Sequence, residues 1–180
     1  MLAWIVSVQR LKNTLYSPTL ATGRNERQRK CNDLTGLSPN SRERARSEKS
    51  YAIDVAFMDK RENAFSGENL GWRLETMVYL ELLRRKAGTD HDIFYFQNRG
   101  AEADFIVCDG NKTLAVYQVS YDISNPKTRK REIKGCIEGA KSTQCDNIFL
   151  ITDHESEIIE ESGYTIHVIP IWEWLTREEI

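Results

Sequence analysis

The clearest periodic stretch covers residues 69–86, where Leu70, Leu74, Met77, Val78 and Leu82 recur at helical spacing and Leu80 and Leu83 widen the face. The spacing predicts an amphipathic helix. Asn69 is its candidate N-cap, Arg84, Arg85 and Lys86 complement its C-terminal dipole, and Gly88 ends it. Three strands are then expected in close succession, at 93–97 (IFYFQ), 103–108 (ADFIVC) and 114–121 (LAVYQVSY). Asn98-Arg99-Gly100 separates the first two and Asp109-Gly110-Asn111 the last two, so the three read as an antiparallel meander. Asn125-Pro126 stops the chain. Residues 128–143 read as a second helix with Ile133, Cys136, Ile137 and Ala140 on one face.

Residues 147–152 (NIFLIT) are almost all apolar, the pattern of a strand buried on both faces after a helical crossover. A last strand is expected at 165–171 (TIHVIPI), where Pro170 either marks an edge or ends the strand. Trp172-Glu173-Trp174-Leu175 would close the chain as a short helical cap. Upstream, residues 51–57 (YAIDVAF) read as a strand or extended segment. The opening MLAWIVSV reads as a buried strand or helix rather than a signal peptide, because it lacks a basic start and a small-residue cleavage site. The order helix, three strands, helix, two strands predicts an α/β fold with a mixed sheet flanked by helices.

At 180 residues with 40% hydrophobic and 29% charged side chains, the chain suits one ordinary domain with an appendage. Charge draws the boundary. Residues 1–50 carry ten Lys or Arg against four Asp or Glu, a net of +6, whereas residues 51–180 carry fifteen against twenty-three, a net of −8. Residues 1–50 are therefore expected to be a basic, poorly packed or disordered segment, and 51–180 the folded domain. A basic arm can also be an electrostatic footprint for nucleic acid. No apolar run approaches the ~20 residues that span a bilayer. Cys31, Cys108, Cys136 and Cys145 form no C-x-x-C pair and stand in no metal spacing with His91, His154 or His167. Scattered cysteines of this kind fit a reducing cytoplasm.

Four polar positions bear on chemistry. Glu75 interrupts the apolar face of the first helix, Asp104 begins the second strand of the meander, and Gln118 and Ser120 share one side of the third. Adjacent strands can bring Asp104 beside Gln118, and a Glu from the overlying helix would complete an oxygen-rich site for Mg²⁺ or Mn²⁺. Such an ion can support phosphodiester cleavage. Each residue also has an ordinary explanation: a strand start, a surface Glu paired with Arg73 or Arg85, solvent-facing strand positions. Lys127, Arg129, Lys130, Arg131 and Lys134 open the second helix. They oppose its dipole and make a candidate nucleic-acid contact, or a plain solvated face.

Six stretches carry a resemblance. They are YAIDVAF (51–57), GWRLETMVYLELLRR (71–85), IFYFQNRGAEADFIV (93–107), YQVSYDI (117–123), NIFLITDHE (147–155) and IHVIPIWEWL (166–175). In collinear order they resemble the uncharacterised C-terminal domain of prokaryotic AAA+ ATP-binding proteins, a family similar to the PD-(D/E)xK nuclease-like superfamily. The resemblance implies a restriction-endonuclease-like αβββαβ core. Glu75 matches the helical acid and Asp104 the aspartate of the second core strand. Gln118 stands where the superfamily has Glu or Asp, and Ser120 where it has Lys.

Those two departures remove a charge from the implied metal site (Glu75, Asp104, Gln118) and the ammonium from the implied catalytic set (Glu75, Asp104, Gln118, Ser120). Loss of one such electrostatic group commonly costs ~10²–10³ in rate. The resemblance also implies an ATPase module elsewhere, yet this chain has no G-x-x-x-x-G-K-[ST] and hence no such ATP site. Two functions are expected from these features. One is a DNA- or RNA-associated nuclease-like domain with weak or lost metal-dependent cleavage. The other is a non-catalytic module that docks on an AAA+ ATPase partner or self-associates, through Trp172, Trp174 and the 51–57 segment.

Overall fold

A computed structural model describes residues 5–11, 48–52, 70–98 and 101–177. In chain order the elements are β1 (Ile5–Leu11), β2 (Glu48–Ala52), α1 (Leu70–Lys86), β3 (His91–Asn98), β4 (Ala101–Asp109) and β5 (Lys112–Val119). They continue with α2 (Pro126–Thr143), β6 (Ile148–Thr152), β7 (Glu157–Glu161), β8 (Tyr164–Pro170) and α3 (Ile171–Thr176). The strands form one mixed sheet in the order β2-β1-β3-β4-β5-β6-β8-β7.

The expected meander is present: β3, β4 and β5 are consecutive antiparallel neighbours. The β4–β5 link turns on Gly110, whose φ of +56° is cheap only without a side chain. A helical crossover then brings β6 alongside β5 in parallel, and β8 is parallel to β6, so the apolar NIFLIT run lies between two strands as its composition predicts. Helix α2 starts two residues earlier than the spacing suggested. Asn125 is its N-cap, its side-chain oxygen accepting from the Lys127 N–H at 2.9 Å, and Pro126 fills the first turn, where no N–H is needed.

Strand β8 ends at Pro170 but is not an edge, because β7 pairs antiparallel with it. Strand β7, which was not predicted, returns through Ser162-Gly163, both at positive φ, as a tight hairpin turn demands. Met77 is 38% exposed, since the buried stripe of α1 is the narrower Leu74, Val78, Leu82 row with Tyr79 beside it. The segments expected at 51–57 and at the N-terminus join the sheet as β2 and β1. Asn69, residues 53–57 and the rest of 1–50 lie outside the described residues.

The sheet buries both faces. Against α1 and α3 lie Tyr51, Phe105, Tyr117, Ile151 and Ile169, with Trp174 of α3 set edge-on to Tyr117 at 5.8 Å between ring centroids. Arg85 of α1 lies 4.2 Å over the Trp174 ring and donates to its carbonyl at 2.7 Å, tying the two helices together. Against α2 lie Ile148, Leu150, Ile159, Ile166 and Val168. Helix α2 approaches β4 through two glycines. A Cβ at position 135 would fall 2.1 Å from the Glu102 carbonyl oxygen, and one at Gly139 would fall 3.0 Å from Ala103. This contact sets one wall of the cleft described next.

Candidate functional site

Where the C-terminal end of β5 meets the start of β4, between α1 and α2, the described residues leave an open cleft of about 450 Å³. All four residues nominated from the sequence line it: Glu75 from α1, Asp104 from β4, Gln118 from β5 and Ser120 just beyond β5. Glu102, Arg131 and Glu132 line it as well. The hairpin places Asp104 beside the third strand as the pairing argument predicted, and Glu75 faces it from the helix above.

The polar groups are tied to one another. The backbone N–H of Asp104 donates to Oε1 of Gln118 at 3.2 Å, and the Val119 N–H donates to Oδ2 of Asp104 at 2.9 Å. The other end of the Gln118 amide donates through Nε2 to Oε2 of Glu132 at 2.7 Å. Oε1 of Glu132 accepts from Nε of Arg131 at 2.9 Å and makes a second, shorter contact with the same guanidinium. The hydrogen bond to Glu132 raises the Arg131 pKa above its ordinary value. Glu75 accepts from the Tyr51 hydroxyl at 2.6 Å. Burial first, and then the Glu75 charge, push that hydroxyl far above the usual tyrosine range, so it stays a donor. Ser120 donates to the Asp122 carbonyl at 3.3 Å.

A divalent ion on Glu75, Asp104 and Gln118 does not fit this arrangement. The Gln118 amide is engaged at both ends, and its oxygen is turned to a backbone N–H. Among the described residues no three His, Cys, Asp or Glu side chains stand close enough to share an ion. Ser120 carries no charge. What the cleft holds instead is an amide–carboxylate–guanidinium chain, Gln118–Glu132–Arg131, buried at Gln118 and Glu132 and exposed at Arg131, with a hydrogen-bonded acid on either side.

Glu132 was missed by the sequence reading. It is 4% exposed, and the signal was available: Glu132, Cys136 and Ala140 recur at i, i+4, i+8 along the buried stripe of α2. Glu102 and Tyr51 were also missed. Tyr51 sits within an apolar run that gave no reason to assign it a polar partner.

The basic stretch divides in two. Arg129 is bonded through both terminal nitrogens to Glu157 of β7, at 2.5 and 2.7 Å, which lowers the Glu157 pKa. Arg131 turns to Glu132. Lys127, Lys130, Arg131 and Lys134 are exposed, and their i, i+3, i+4, i+7 positions form one ridge whose Arg131 reaches the cleft. The two tryptophans also part: Trp174 is buried and Trp172 is 64% exposed.

No described helix is long and apolar enough to cross a membrane. Residues 70–174 match the family model described as a domain of unknown function, DUF4143. Over 113 residues the chain is 32% identical to an uncharacterized protein, MJ1544, of Methanocaldococcus jannaschii, a match covering 59% of this chain and 25% of the relative. The matched region thus spans about a quarter of the curated relative's length. No solved structure matches.

Proposed function

We propose that this chain, which belongs to the family of the DUF4143 domain of unknown function, is a nuclease-like module that holds nucleic acid along α2 and does not cut it. The proposal includes a restriction-endonuclease-like αβββαβ core. The run α1, β3–β4–β5 antiparallel, α2, then β6 parallel to β5 is consistent with it. In this reading the chain serves as an accessory domain of a longer AAA+ ATP-binding protein, in keeping with the quarter-length match to its relative.

The observation that carries the reading is the continuity of the exposed ridge Lys127, Lys130, Arg131, Lys134 with the cleft. A phosphate backbone would rest on the ridge and be turned away from the cleft by Glu75, Glu102, Asp104 and Glu132. Retention without cleavage follows from Gln118, whose amide is bonded at both ends, and from Ser120, which offers no cation.

Fluorescence anisotropy with a labelled single-stranded DNA, a duplex and an RNA tests the binding half. The Lys127→Glu/Lys130→Glu/Lys134→Glu variant is expected to lose affinity for at least one of them. The salt slope is expected to fall by roughly 0.7–0.9 per lysine contact removed. Equal binding by wild type and variant would end the idea. Incubation with Mn²⁺ tests the other half: nicking abolished by Asp104→Asn would show that cutting survives.

Docking on an ATPase partner is favoured by the exposure of Trp172. Trp174 and Tyr51, the other anchors nominated for it, lie in the core. Trp172→Ala should then weaken co-elution with a full-length AAA+ relative and leave the lysine-dependent binding unchanged.

A further inference from the structure

We propose that the outer edge of β7 accepts an extended basic segment of a protein partner as an added strand. Strand β7 is the last in the sheet order, and among the described residues only β8 pairs with it. An open edge offers its backbone N–H and C=O groups as a template for another strand. Two further features point to an occupant.

The first is a row of side chains leading to that edge. Registers place Phe149 of β6 opposite His167 of β8, and His167 opposite Ile158 of β7, so the three share one face. Phe149 and His167 are in ring contact at 5.9 Å. The row ends in Ile158, which is 65% exposed, the most exposed of the large apolar side chains described. A strand added beside β7 would cover Ile158 with the side chain directly opposite it.

The second is charge. Residues 146–177 carry seven Asp or Glu against one Arg. On β7 itself Glu157 is already bonded to Arg129, whereas Glu160 and Glu161 are exposed. Two copies of β7 paired antiparallel about Ile159 would set Ile158 against Glu160 and Glu157 against Glu161, a like-charge pair, so that register disfavours a second copy. It favours a strand with an apolar residue opposite Ile158 and Lys or Arg opposite Glu160 and Glu161. Backbone bonds would supply affinity and these side chains selectivity.

The test uses a fluorescein-labelled nonapeptide with Lys-Lys-Ile-Ile-Thr at its centre, the order that antiparallel addition requires. One control carries Glu for both Lys, and a second carries Pro for the second Ile, the residue opposite Ile158, which removes a backbone donor that would face β7. Anisotropy at 0.1 M salt is read for the full chain and for Glu160→Lys/Glu161→Lys, with circular dichroism confirming that the variant is folded. The basic peptide is expected to bind wild type at least tenfold more tightly than either control. The variant should lose that preference and take the Glu peptide instead. Equal binding of the Pro peptide would reduce the effect to charge alone and overturn strand addition. Sedimentation showing a wild-type dimer that the double variant dissolves would assign the edge to a second copy and overturn the proposal.

Discussion

Replacing Gln118 with Glu changes the side-chain NH₂ to an oxygen and little else, yet it puts two carboxylates face to face. In the wild type, Nε2 of Gln118 donates to Glu132 across 2.7 Å within the protein. Two full charges at that distance repel by about 6 kcal/mol at an effective dielectric constant of 20. The variant has a cheaper course. One proton shared between the two acids restores an O–H donor where the N–H stood, and the other oxygen still accepts from the Asp104 N–H. Holding that proton at pH 7, against an ordinary Glu pKa of about 4.3, costs about 1.4 kcal/mol per pH unit, hence about 4 kcal/mol.

The pair binds a proton more tightly in the folded state than in the unfolded one. The folded pKa is therefore raised, and stability falls as pH rises above the unfolded value. Urea unfolding of wild type and Gln118→Glu, with chelator present, should show a deficit of about 1 kcal/mol at pH 5 growing to about 4 kcal/mol at pH 7. A variant as stable as wild type at pH 7, or a deficit that does not shrink towards pH 5, would refute the assignment of Gln118 as the neutral partner of Glu132.

Other consequences follow from the same packing. Glu132→Ala should cost about 1–3 kcal/mol in chemical denaturation, because it leaves the buried Gln118 Nε2 without its acceptor. Gly135→Ala should cost about 1–3 kcal/mol or more, since its Cβ would strike the Glu102 carbonyl. Amide exchange near Gln118 should quicken with it. Trp174→Ala should cost about 3–5 kcal/mol in thermal or urea unfolding, losing both its packing on Tyr117 and the Arg85 contact. Asn125→Ala should cost about 0.5–2 kcal/mol through the lost cap.

The parts legible in the sequence are those where periodicity is strong. The α1 repeat, the three strands with their Asp109-Gly110-Asn111 turn, and the all-apolar NIFLIT strand were read nearly to their ends. Strand β7 was not, because Glu157, Glu160 and Glu161 give it the look of a loop and only Ile159 is buried. Its edge position explains this, since an edge strand answers to solvent on more of its surface than a central one. The site was half legible. Glu75, Asp104, Gln118 and Ser120 could be gathered by resemblance and by strand pairing. The partner that decides their chemistry, Glu132, was hidden in a stretch dense with cations, where charge drew notice away from its place on the buried stripe.

Helix α2 carries the lysines on its outside and Glu132 on its inside, within two turns of each other. It is pinned at one end by the Asn125 cap and pressed on β4 at Gly135. Lys130 and Lys134 thus stand within one turn of the acceptor of the Gln118 amide, so a substitution that unseats the outside of α2 would also disturb the floor of the cleft.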